Sequence, residues 1–148
     1  MDSRLTLVTD DKQRVAAFVA SQPPFKPDRG FGEFAAIGYE WDGELIGGTI
    51  FNNWDPQAGV IELSVATVDP RWLSRKSIVA MFGFVFNQLG CQMAVIRVSE
   101  RNARMLSIAR RFGFTEYLIP RLRGRDEAET VCTFTVEQWR AKGMERLN

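Results

Sequence analysis

The sequence predicts an α/β (α+β) fold: one domain with a mixed, mostly antiparallel central sheet flanked by helices. Three observations carry this. Asp42-Gly43 joins two strand-like runs, the strongest short hairpin signal. The segment from Gly59 to Phe114 alternates strand, helix, strand and helix. Thr115–Ile119 and Thr130–Val136 then read as a closing hairpin around a polar, Arg-rich turn.

Taken in order, Leu5–Val8 is a short strand. Asp10 or Asp11 caps a helix whose Val15, Phe18 and Val19 share a face. Pro23, Pro24 and Pro27 end it, and the loop continues to Gly32. Phe34–Asp42 and Glu44–Asn52 are the hairpin strands, Asn53–Gly59 the next turn, and Gly59–Asp69 a strand carrying Glu62. Pro70 to Ser77 opens a helix to about Leu89, apolar nearly all round (Ile78, Val79, Met81, Phe82, Phe84, Val85, Phe86, Leu89), which must lie buried against the sheet. Met93–Ser99 is a strand, Asn102 starts a helix closed by Gly113-Phe114, and Trp139 begins a short, exposed C-terminal tail.

At 148 residues the chain buries roughly 70% of its unfolded surface. No apolar run approaches the ~20 residues of a membrane span, and Met1-Asp-Ser-Arg4 has no signal-peptide character. Cys91 and Cys132 are isolated among apolar or small neighbours and read as buried, reduced thiols, so the cytoplasm is expected. There is no histidine. That excludes Ser-His-Asp and Cys-His nucleophilic machinery and any His-bearing zinc or iron site; no metal is expected. Residues 1–70 carry 5 basic and 11 acidic side chains, residues 71–148 carry 14 and 7. The positive half suits a polyanionic small ligand. Arg121, Arg123 and Arg125 form the one tight basic run, which keeps nucleic acid as a rival partner.

The apolar helix opens at the end of the Glu62 strand. Ser74 and Ser77 are cap-type residues there, and Arg75 and Lys76 add charge beside the positive helix end. This is phosphate capture without a Walker loop; Gly30-Phe-Gly32 stands alone and misplaced for a dinucleotide loop.

The Asp-Gly hairpin, the Val68-Asp-Pro70 strand end with a helix behind it, and Asn102 to Phe112-Gly-Phe114 together resemble the GNAT superfamily of acyl-CoA-dependent N-acetyltransferases, over the whole chain. Arg71-Trp-x-x-Arg75 and Phe86-x-Gln-Leu-Gly-Cys91 further resemble a small phage- and prophage-encoded branch. The sequence departs from the family twice. Lys76 and Ile78 stand where its pyrophosphate loop has glycines, which let backbone amides approach phosphate. Ala109 stands where a frequent acid tyrosine sits, with Tyr117 as a replacement or simply a half-buried strand residue.

The resemblance implies acetyl-CoA as co-substrate and direct attack of an amine on its thioester. It places amides near Ala66, Thr67 and Val68 at the thioester carbonyl, the pantetheine arm between this strand and Met93–Ser99, and the pyrophosphate at the amides of Leu73, Ser74, Arg75, Lys76, Ser77 and Ile78. Asn102 would cap its helix and touch the pantetheine, and Ser107 would protonate the leaving thiolate through water.

An alkyl ammonium with pKa ~10.4 must lose a proton to react at pH 7, at a cost of ~4.6 kcal/mol. Glu62 is the candidate base: strand alternation sets it on one face with Val60, Ser64, Ala66 and Val68, and the small side chains of Ser64 and Ala66 leave a groove that would raise its pKa. A solvated strand residue is the plainer alternative. The loop Gln22–Glu33 and turn Asn52–Gly59, with Phe25, Phe31, Trp54, Asp28, Glu33 and Asp55, would wall an aromatic or cationic amine acceptor, a small molecule or peptide. Two further readings stay open: a non-catalytic binding or assembly module of this shape, and a phage-type nucleic-acid base-modifying enzyme. A homodimer through sheet edges and Trp139 fits the sequence as well.

Overall fold

Asp42 and Gly43 take φ of 51° and 87°, the left-handed pair that a two-residue hairpin turn requires. They join β2 (Phe34–Trp41) to β3 (Glu44–Asp55), and β1 (Leu5–Val8) adds to the far side of β2. The computed structural model describes residues 4–23 and 30–144. The expected loop residues Phe25 and Asp28 lie outside that range.

Beyond β3 come β4 (Val60–Thr67), a 3-10 turn at Pro70–Trp72, α2 (Arg75–Phe82), β5 (Met93–Ser99), α3 (Ala103–Phe112), β6 (Thr115–Gly124), β7 (Glu127–Thr135) and α4 (Val136–Lys142); α1 is Lys12–Ala20. The seven strands form one sheet in the order β1-β2-β3-β4-β5-β7-β6. Every neighbouring pair is antiparallel except β4 and β5. Parallel neighbours need a long crossover, and the segment containing α2 supplies it.

α1 is capped by Asp11, whose side chain accepts from the Arg14 N–H. It packs on β2, β3 and β4 through Val15 and Val19, with Val8, Ile50 and Ala66 completing that core. The approach is close enough to demand glycine: a Cβ on Gly48 would stand 2.8 Å from Val15 Cγ1 and 3.0 Å from Val19 Cγ2. The larger core fills the opposite face. At its centre Phe82 meets Phe112, Trp139 and Phe134 at ring-centroid distances of 5.2, 5.3 and 5.4 Å.

Three sequence expectations are corrected. The apolar helix does not run regularly to Leu89: after Phe82 the chain winds as a π-helix over Gly83–Gln88, with the Leu89 N–H bonded five residues back to the Phe84 carbonyl. Wider turns let Val85 and Phe86 join Phe82 in the core. The Arg-rich stretch is strand, not turn, because β6 continues past a bulge where Arg121 takes φ of 66°. The tail is helix α4, with a capping box between Thr135 and Gln138, and Trp139 is buried rather than exposed. An edge-pairing role for Trp139 falls with that.

Both cysteines are free and buried. Burial pushes both thiols up, Cys132 to about 11. No helix among the described residues is long and apolar enough to cross a membrane.

Gly48→Ala should lower unfolding stability by about 1–3 kcal/mol through overpacking, read as a denaturant midpoint shift. Adding Val15→Ala should cost less in that background than alone, because it removes the clashing methyl.

Candidate active site

β4 and β5 pair for only four residues, Val60–Leu63 against Met93–Ile96. Beyond Leu63, β4 stays bonded to β3 as far as Thr67, while β5 stays bonded to β7 as far as Ser99. The sheet therefore splits along its length. Through the gap runs a cleft of about 280 Å³, walled by Ser64, Ala66 and Thr67 on one side and Arg97 and Ser99 on the other. On the helical face it meets an apolar cavity of about 330 Å³ lined by Trp72, Leu73, Ile78 and Phe112; Val65, Ile96, Met105 and Ile108 line both. A passage thus crosses the sheet.

Backbone direction decides which amides face it. The Val68 N–H donates to the Ile46 carbonyl of β3 at 2.9 Å. In an antiparallel ladder alternate residues share a direction, so Ser64 and Ala66 also point to β3. Val65 and Thr67 point into the gap, where no strand pairs with them. Of the amides expected at a thioester, those of Ala66 and Val68 are turned to β3, leaving that of Thr67, and the Val68 side chain is 56% exposed. Asp69 follows, its carboxyl held down to about 2 by hydrogen bonds from the Arg71 side chain and N–H. This pins the turn leading into α2.

At the start of α2, Ser74 and Ser77 form a reciprocal capping box: Ser74 Oγ accepts from Ser77 N–H at 3.3 Å, and Ser77 Oγ from Ser74 N–H at 3.0 Å. The Leu73 and Ile78 amides donate to the Pro70 and Ser74 carbonyls. Among the amides expected to hold pyrophosphate, only those of Arg75 and Lys76 have no partner among the described residues. Their side chains turn elsewhere: Lys76 Nζ donates to the Leu5 carbonyl at 2.7 Å and Arg75 to the Met144 carbonyl.

Asn102 both caps α3, accepting from Met105 N–H at 3.2 Å, and lines the cleft. Ser107 lines neither cavity. The face of α3 turned toward the apolar cavity carries Met105, Ile108, Ala109 and Phe112. Glu62 lies where β4 and β5 are still paired, opposite Val95. It is half-buried, accepts from Asn53 Nδ2 at 3.1 Å, and stands two residues, about 7 Å, from Ser64 at the cleft. Beside it on β3, Asn52 Oδ1 is buried with no protein partner. Tyr117 is exposed on the edge strand.

The sequence reading missed the charged side of the cleft. Glu129 of β7 is 3% exposed and takes Arg97 on Oε2 at 2.7 Å and Arg123 on Oε1 at 3.1 Å. Arg97 was legible as a lone cation within an apolar strand; Glu129 and Arg123 were not, since cross-strand register brings them together.

No family model and no curated protein matches the sequence. Solved structures do. A candidate acetyltransferase of Salmonella typhimurium, crystallised with acetyl-CoA, is 19% identical with a TM-score of 0.70, covering 90% of this chain and 95% of its own. The dodecameric spermidine N-acetyltransferase of Vibrio cholerae is 13% identical with a TM-score of 0.70, covering 93% and 97%. A candidate acetyltransferase of T. thermophilus reaches 0.73 at 15% identity, covering 99% and 94%. The fold is that of the GNAT acetyltransferases, shown by shape at low identity.

Ser74→Ala removes the cap and should cost about 1 kcal/mol, lowering the melting temperature by about 3 °C.

Proposed function

We propose that the protein is an acyl-CoA-dependent N-acyltransferase that carries an acetyl group from acetyl-CoA to an amine. The carrying observation is the split between β4 and β5, with the Val65 and Thr67 N–H groups facing a passage that opens toward the start of α2. An extended chain with amide groups is what an unpaired strand edge accepts. Apolar walls at Val65, Ile96, Met105 and Ile108 suit its alkyl portions.

The thioester would supply an activated acyl carbon. A main-chain N–H from β4 would receive the charge developing on its oxygen. Glu62 is the base, taking the ammonium proton through water at Ser64, since it does not itself line the cleft. The C–N bond forms, the C–S bond breaks, and the sulfur leaves as thiolate; a thiol pKa near ~8.5 lets water reprotonate it without an enzyme acid. Asn102 holds the α3 end of the cleft in place. The Arg75 and Lys76 amides, and their side chains once released from carbonyls, would face the pyrophosphate.

A non-catalytic module of the same shape draws support from one observation: the capping box engages amides that phosphate would need. Melting with acetyl-CoA separates the two. At ~100 times the dissociation constant the ligand adds ~2.7 kcal/mol, a rise of about 5–10 °C. The rise should vanish in Ile108→Trp, which plugs the passage, and persist in Glu62→Gln. With an alkylamine at pH 7, Glu62→Gln should lose about 10²–10⁴ in turnover. No rise in wild type with acetyl-CoA or CoA favours the module.

A further inference from the structure

Charge is distributed unevenly around the cleft. Among the described residues its lining includes Arg97, Arg104 and Arg123 and no carboxylate. Arg104 belongs to the α2 side, its charge reaching Asp69. Arg97 and Arg123 belong to the other mouth. Arg97 is the first residue of β5 past its last pair with β4, so it stands across the gap from Ser64 on the open face. Arg123 reaches the same place through Glu129, which pairs in register with Ser99.

Glu129 explains why the two arginines stay there. One almost wholly buried carboxylate gives each guanidinium one oxygen, leaving two cations on one anion. Arg97 sets both Nε and Nη2 on Oε2, Arg123 sets Nη2 on Oε1, and both arginines line the cleft. Arg123 Nε is buried with no partner among the described residues, and an unpaired buried donor is costly unless a ligand completes it. The pantetheine portion of a coenzyme is neutral and its phosphates belong at α2, so this cationic mouth has no role toward it. It faces the acceptor.

Resting on the acyl-transfer reading, the geometry points to an acceptor that is an amino carboxylate: an amine whose acidic group is gripped by Arg97 and Arg123 while its nitrogen lies at Ser64, on the Glu62 side. Planar guanidinium forks match a carboxylate in two-point contact. A polyamine would bring several positive charges to a mouth lined by two arginines.

The test is initial-rate kinetics with acetyl-CoA on the α-amino acids, each beside its carboxamide, with spermidine and 2-aminoethyl phosphate as further arms. Wild type, Arg123→Lys and Arg97→Lys are compared, with melting temperatures for all three. Lysine keeps the charge beside Glu129 and removes the fork, so the fold is expected to hold; a variant that melts early yields its place to the other. At least one amino acid should exceed its carboxamide by about tenfold or more in kcat/KM, as expected for losing a charge-assisted contact. The loss should lie in KM, and the preference should shrink in the lysine variants. Equal rates for acid and carboxamide, preference for spermidine, or preference for the phosphate over every carboxylate would overturn the assignment. So would no turnover in a protein that still melts later with acetyl-CoA. No melting shift at all overturns the acyl-transfer reading, and this inference with it.

Discussion

The structure depends on one interrupted interaction: the parallel pairing of β4 with β5 stops after Leu63 and Ile96. Each strand keeps its other neighbour, so the sheet opens without either half losing its ladder. The opening is held by the helical face, where Met105 and Ile108 sit beneath the gap and the aromatic cluster around Phe82 ties α2 and the π segment to α3, β7 and α4. Two strand amides are consequently left facing the gap, and an extended, amide-bearing ligand supplies the partners they lack.

A second tension sits at the start of α2. A helix N-terminus can satisfy its own amides or offer them to an anion, and the Ser74–Ser77 box does the former for its two residues. With Lys76 and Ile78 at this helix start, side chains limit how closely an anion approaches the remaining amides.

Element order, the Asp42-Gly43 hairpin and the Asn102 cap were legible because each is written in local signals: turn residues, period and caps. The α4 capping box, Thr135 with Gln138, was equally local and was passed over in favour of a tail. The π segment was not legible, since an apolar run does not distinguish four-residue from five-residue turns. At the site, alternation placed Glu62, Ser64 and Ala66 on one face, in agreement with their register. Which amides point into the gap depends on which neighbour β4 keeps, and that is tertiary information. The same holds for Ser107, whose side of α3 is set by packing, and for the Arg97–Glu129–Arg123 group, assembled from three strands.

Past Leu63 and Ile96 the gap between β4 and β5 is an unpaired strand edge, open to a ligand. Residue-resolved amide hydrogen exchange, with and without CoA, tests it most directly. Exchange should be fast at Val65 and Thr67 in the free protein and slow at Ser64, Ala66 and Val68, and added CoA should selectively protect Val65 and Thr67. Slow exchange at Val65 and Thr67 in the free protein, or protection by CoA that spares them, would contradict it.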